Sequence, residues 1–69
     1  MEEEINKIKE MISFDGFKNV FFIFTRFCES NREAYERTEE EYMRRYSAGT
    51  KYASYDSFRK IKNRNLKSN

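Results

Sequence analysis

Residues 17–28 run Phe-Lys-Asn-Val-Phe-Phe-Ile-Phe-Thr-Arg-Phe-Cys, and this stretch decides between a helical and a sheet fold. Its centre, residues 20–24, consists of β-branched and aromatic side chains, which also suit a buried strand. The apolar side chains nevertheless recur at intervals of three and four well beyond those five residues, as one face of a helix requires. We therefore predict a helix over residues 15–29. Its inner face would consist of Phe17, Val20, Phe21, Phe24, Phe27 and Cys28.

Phe22 falls nearly opposite that inner face. A phenylalanine on the polar side of a helix is costly unless something covers it. Two interpretations are open: the first or fourth helix of the chain covers Phe22, or another protein chain does. Ile23 is expected at the margin of the inner face.

The clearest local signal is a capping box, Ser30-Asn31-Arg32-Glu33. The Ser30 hydroxyl can accept from the Glu33 amide while the Glu33 carboxylate reaches back to the Ser30 amide. A helix should therefore run from residue 31 to about 47, with Gly49 placed to end it. Its inner face would consist of Tyr35, Thr38, Tyr42 and Tyr46. Its outer face would pair Glu33 with Arg37, Glu40 with Arg44, and Glu41 with Arg45.

Two further helices complete the prediction. Apolar residues at helical spacing, with acids in the first turn, predict one over residues 2–12. After an extended segment, residues 50–53, Ser54 should cap the last helix, residues 55–66. The inward residues would be Ile5, Ile8 and Ile12 on the first helix and Tyr55, Phe58, Ile61 and Leu66 on the last.

The fold class is therefore all-α. Residues 1–69 form a single helical domain, a small compact bundle or orthogonal array of about four short helices. A chain of this length buries a small core, and with one cysteine it cannot form an internal disulfide. Seven phenylalanines and five tyrosines can supply a dense aromatic core, or a second subunit can complete it.

The reactive residue types do not indicate catalysis. The chain has no histidine, and Cys28 lies on a predicted core face, where a thiol behaves as a small hydrophobe. Adjacent residues on a helix diverge by about 100°, so Glu39, Glu40 and Glu41 are expected on a solvated, salt-bridged face rather than around a metal. We expect no enzymatic activity, no cofactor and no metal site.

The longest apolar run, residues 20–24, is far shorter than the roughly 20 residues that a membrane-spanning helix needs. Four glutamates among the first eleven residues are the wrong start for a secretory signal. With a single cysteine, the chain is expected in the reducing cytoplasm and without a membrane partner.

Charge is distributed unevenly along the chain. Residues 1–43 contain eleven acidic and six basic side chains, a net charge of −5, whereas residues 44–69 contain eight basic and one acidic, a net charge of +7. A basic helix suits nucleic acid, because Lys and Arg neutralise phosphates while Asn and Arg hydrogen-bond to base edges. The predicted nucleic-acid-binding residues are Lys51, Ser57, Arg59, Lys60, Asn63, Arg64 and Lys67.

The predicted order of helix, break and basic helix over residues 31–67 resembles a helix-turn-helix, although a connection of about six residues is longer than usual. The first hypothesis is thus a small accessory protein that binds DNA or RNA through residues 55–67. An alternative is an adaptor or homo-oligomer that uses the aromatic helix, residues 15–29, with Phe22 at the interface. In a third interpretation, the cations only complement the helix dipole and keep the chain soluble.

Tyr52 and Tyr55 lie near the basic residues of the last helix. Aromatic rings in that position can stack on unpaired bases. The preferred interpretation is that they pin residues 50–53 to the core.

Overall fold

The computed structural model describes residues 2–67, with their side chains up to residue 64. This part of the chain forms four α-helices and no β-strand, which confirms the all-α prediction. The helices are α1 (Glu2–Lys7), α2 (Phe14–Thr25), α3 (Asn31–Tyr46) and α4 (Tyr55–Lys67). The most extensive packing is between α2 and α3, while α1 packs on α2 and α4 packs on α3.

The first helix ends at Lys7, short of the predicted end at residue 12, and the carbonyls around its end bind a side chain of α3. The Arg45 guanidinium donates to the Ile8 carbonyl oxygen at 2.7 Å and to that of Ile5 at 3.5 Å. Orphan carbonyls at a helix end need such partners. The tertiary contact therefore replaces the helical turns that the spacing predicted.

The segment after α1 turns toward the core at Met11. The Met11 amide donates to the Tyr46 hydroxyl at 2.9 Å, and the Met11 side chain is fully buried. Ile12, which was predicted to face inward, is 58% exposed. The backbone passes so close to α2 that a Cβ at Gly16 would lie 1.7 Å from the Glu10 carbonyl oxygen, so glycine is required there.

The second helix has Ser13 as its N-cap and ends earlier than predicted. The Ser13 hydroxyl accepts from the Gly16 amide at 3.2 Å, and the helix stops at Thr25 instead of continuing to Glu29. Because the chain leaves the helix there, Phe27 is 58% exposed rather than part of the inner face. Ile23 is fully on the buried side.

The third helix begins where the capping box placed it. The Ser30 hydroxyl accepts from the Glu33 amide at 3.1 Å. Tyr35 and Thr38 are buried, as predicted, and the Thr38 hydroxyl donates to the carbonyl oxygen four residues earlier at 2.7 Å. The two later tyrosines of the predicted face, Tyr42 and Tyr46, are half-buried.

The ion pairs along α3 only partly follow the predicted spacing. Glu41 binds Arg45 at 3.1 Å, as predicted, and also binds Arg44 at 2.5 Å. Arg37 lies 3.6 Å from Glu40 instead of pairing with Glu33. Residues three apart on a helix are neighbours as well as residues four apart, so Arg37 and Arg44 pair at a spacing of three instead of the predicted four.

The third helix ends at Ser47 and not through Gly49. Ser47 adopts the left-handed conformation with φ of 51°, whereas Gly49 does not have a positive φ. The following segment, residues 51–53, bends where an extended chain was predicted. The prediction that Gly49 ends the helix is therefore wrong, because the turn occurs two residues earlier.

Two substitutions test whether Ser47, and not Gly49, makes the left-handed turn at the end of α3. Ser47→Gly should raise the free energy of unfolding by about 0.5–1 kcal/mol, since the left-handed conformation strains any residue with a Cβ. Gly49→Ala should be neutral or stabilising by about 0.4–1 kcal/mol, because it loses no required positive φ and meets open space. Urea unfolding measures both, and a destabilising Gly49→Ala would contradict the assignment.

The core is an aromatic cluster centred on Phe58, a fully buried residue of α4. Its ring centroid lies 4.9 Å from that of Phe21, 5.2 Å from that of Phe17 and 5.6 Å from that of Tyr35. Such pairs contribute about 0.5–1.5 kcal/mol each beyond their area burial. One side chain thus attaches α4 to both α2 and α3.

Candidate nucleic-acid interface

The position of α4 depends on a buried carboxylate, Glu39, which is 3% exposed. Its Oε1 accepts from the Lys51 amide at 2.8 Å. Its Oε2 accepts from the Tyr52 amide at 3.0 Å and from the Tyr35 hydroxyl at 2.6 Å. Glu39 therefore fixes the backbone of the connection that leads into α4. The prediction that it belongs to a solvated face is wrong.

The spacing of α3 contains a signal for Glu39 that the sequence interpretation missed. Glu39 follows Tyr35 by four residues and precedes Tyr42 by three, so it lies on the same face as the predicted inward tyrosines. Buried charges are rare because they lose their hydration. A carboxylate that accepts several hydrogen bonds replaces that hydration and also gives each buried donor an acceptor.

The two tyrosines next to Glu39 both have raised pKa values. Burial, together with the hydrogen bond to Glu39, raises the pKa of Tyr35 well above its usual value. Burial, followed by the charge of Glu39, also raises the pKa of Tyr52.

Tyr52 and Tyr55 pin the connection to the core, as the preferred interpretation held. The Tyr52 ring centroid lies 5.1 Å from that of Phe17 and 5.4 Å from that of Phe58. The Tyr55 ring centroid lies 5.6 Å from that of Tyr35. Both rings thus pack on core residues.

The outer face of α4 carries most of the predicted nucleic-acid-binding residues. Helical spacing places Lys60 and Asn63 opposite Phe58, with Arg59 and Arg64 flanking them. Arg59, Lys60, Asn63 and Arg64 are exposed. The acidic residue on this face is Asp56, whose carboxylate lies 3.4 Å from the Arg59 guanidinium. The Lys67 side chain, like that of Leu66, lies outside the described residues.

Ser57 lies at the start of α4, on the boundary between core and solvent. Its amide donates to the hydroxyl of Ser54, the predicted cap, at 3.3 Å, and its side chain is half-buried. The predicted start of the helix is thereby confirmed. The first turn of α4 presents the positive end of the helix dipole beside the exposed cations.

Lys51 lies in the connection and makes internal contacts. Its amide is bound by Glu39, and its Nζ donates to the Ile12 carbonyl oxygen. The same ammonium lies 5.5 Å from the ring centroid of Tyr52 and 5.8 Å from that of Tyr42. Of the predicted binding residues, Lys51 is thus placed apart from the outer face of α4.

The net charge of +7 in residues 44–69 is not all available on the surface. Arg44 and Arg45 both bind the Glu41 carboxylate, and the hydrogen bond from Arg44 to Glu41 raises the pKa of Arg44. Arg45 also binds the α1 carbonyls described above. Among the described basic residues of this half, Arg44 on α3 and Arg59, Lys60 and Arg64 on α4 are exposed.

Two cations from other helices lie over aromatic rings in or next to α4, and the sequence interpretation did not include them. The Arg32 guanidinium lies 5.6 Å from the ring centroid of Tyr55. The Lys18 ammonium lies 5.7 Å from that of Phe14, whose ring is 6.1 Å from that of Phe58. Tertiary packing brings the Arg32 charge to α4, whereas Lys18 contacts a ring of its own helix and lies 3.8 Å from the Asp15 carboxylate.

The connection between α3 and α4 departs from a helix-turn-helix. Residues 47–54, eight in number, separate Tyr46 from Tyr55. A helix-turn-helix uses three or four residues there. The resemblance is therefore limited to the order of the elements.

The aromatic alternative has one structural fact in its favour. Phe22 is 43% exposed, so neither α1 nor α4 covers it fully, and its ring lies 5.4 Å from that of Phe21. Within residues 2–67, no helix is long and apolar enough to cross a membrane.

Cys28 is half-buried, next to Glu33. Burial and then the negative charge of Glu33 raise the pKa of the Cys28 thiol, which disfavours a reactive thiolate. In the described part of the chain, no three cysteine or carboxylate side chains cluster as metal ligands would.

Comparison with known proteins gave no match, either to a protein family, to a curated protein or to a solved structure.

Proposed function

We propose that this protein binds nucleic acid through the outer face of α4. The observation that carries the proposal is the exposure of Arg59, Lys60 and Arg64 together with Asn63 on one face of a helix whose opposite face is anchored in the core. The lysine and arginines would contact phosphates, and Asn63 would contact a base edge.

The anchoring of α4 supports this proposal. Glu39 fixes the connection before α4, and Phe58 fixes the helix itself. A contacting element that is already ordered loses little conformational entropy on binding. Arg32, whose guanidinium lies 5.6 Å from the ring centroid of Tyr55, adds a positive charge next to the first turn of α4.

Fluorescence polarisation with labelled duplex and single-stranded DNA tests the proposal. Each neutralised phosphate releases counterions, so the affinity should fall steeply between about 50 and 200 mM salt. Asn63→Ala should cost about 1–3 kcal/mol on a preferred sequence and almost nothing on others, if Asn63 contacts a base. The absence of binding to any duplex or single strand at low salt would refute the proposal.

The second candidate function is protein binding through Phe22, favoured by its exposure of 43%. An apolar contact of this kind buries little charge, so its affinity should change little over the same salt range. The salt titration therefore distinguishes the two candidates.

A further inference from the structure

The outer edge of α3 borders two adjoining grooves, of about 310 and 210 Å³. The two grooves share Phe24 and Arg37, so they form one continuous depression along the helix. Phe27, 58% exposed, lies at one end of it. The lining is completed by Cys28, Glu33, Glu40, Glu41 and Arg44.

Four charged residues follow each other along this edge at intervals of four, three and four. They are Glu33, Arg37, Glu40 and Arg44, and all four line the depression. This spacing keeps side chains on one stripe of a helix, as in a helix–helix seam. We call these four residues the edge stripe.

The edge stripe is complementary to itself when reversed. In an antiparallel pair of identical helices related by a two-fold axis midway along the stripe, Glu33 faces Arg44 of the second copy. Arg37 likewise faces Glu40 of the second copy. A two-fold interface requires this self-complementarity, because each residue must match its counterpart on the same surface.

We propose that a second copy of this chain docks antiparallel on the outer edge of α3. The edge stripes pair, and the exposed Phe27 supplies the apolar part of the interface. A charge pattern that is complementary to itself favours a second copy as the partner. The surface differs from the outer face of α4, so the inference is independent of the nucleic-acid proposal.

The edge stripe makes two ion pairs within the chain. Arg44 lies 2.5 Å from Glu41 but is 69% exposed, so the Glu33 carboxylate of a second copy can join this pair. Arg37 lies 3.6 Å from Glu40 within the chain, and both side chains are more than half exposed. Exposed pairs of this kind contribute about 0–1 kcal/mol, so a carboxylate from a second copy can join or replace them at little cost.

Charge reversal at the centre of the edge stripe tests the proposal. Arg37→Glu places two carboxylates opposite each other, and Glu40→Arg places two guanidinium groups opposite each other. Sedimentation equilibrium should show the parent dimerising with increasing concentration. Each single variant should dissociate more readily, by on the order of tenfold or more.

Mixing the two variants gives the decisive result. In the mixture each acidic edge faces a basic one, so a heterodimer should form more tightly than either variant's own dimer. Glu36→Arg, an exposed change on α3 outside the edge stripe, should dimerise like the parent. A monomeric parent at all concentrations, or a mixture that associates no better than its components, would overturn the proposal. Circular dichroism checks that each variant is folded.

Discussion

We expect Glu39→Ala to lower the free energy of unfolding by about 3–5 kcal/mol, the cost of breaking a buried, hydrogen-bonded charge network. The substitution leaves the Lys51 and Tyr52 amides and the Tyr35 hydroxyl without their common acceptor. Because these amides lie in the connection to α4, the start of that helix should also loosen.

The neighbouring glutamate offers a matched control. The Glu40 side chain is 64% exposed and makes one ion pair, so Glu40→Ala should change stability by no more than about 0.5 kcal/mol. Urea unfolding followed by circular dichroism gives both values. Equal effects of the two substitutions would show that Glu39 does not hold the connection.

Phe58→Ala should cost about 3–5 kcal/mol, as the removal of a fully buried phenylalanine does. The change empties the centre of the ring cluster and removes the packing of α4 against Phe17, Phe21 and Tyr35. A domain this small has little stability in reserve, so much of the population should unfold or lose α4.

Removal of a second, exposed phenylalanine shows how much of the loss is specific to the core. Phe22 is 43% exposed, so Phe22→Ala should cost much less than Phe58→Ala. Thermal unfolding compares the two variants directly. A comparable loss in both would contradict the placement of Phe58 at the centre of the core.

Helix existence was predictable because the apolar spacing is local information. Phe17 and Phe58 lie inward as their periodicity requires, and the Ser30 cap marks the start of α3. The ends of α1 and α2 were not predictable in the same way. Arg45, for example, donates hydrogen bonds to the carbonyl oxygens of Ile5 and Ile8, which are distant in sequence, and no local pattern encodes that contact.

The candidate interface likewise contains features that local spacing predicts and features that depend on tertiary packing. Exposure of Lys60 and Asn63 follows from helical spacing relative to Phe58. The internal role of Lys51 and the position of Arg32 beside Tyr55 depend on how the connection packs. Charge counting could not distinguish these cations, since it assigns each the same weight.

The most direct test of nucleic-acid binding through α4 compares two triple variants with the same change in net charge. In the first, Arg59, Lys60 and Arg64 are replaced by glutamine, and in the second, Lys7, Lys9 and Arg26 are replaced. All six side chains are exposed, so circular dichroism should show both variants folded.

Polarisation of labelled duplex DNA as a function of salt then decides the matter. The slope of log affinity against log salt should become shallower by about 0.9 for each phosphate that the variant no longer neutralises. We expect the α4 variant to lose binding and salt dependence while the control variant retains both. Equal weakening of the two variants would show that binding follows net charge alone and would contradict a specific role for α4.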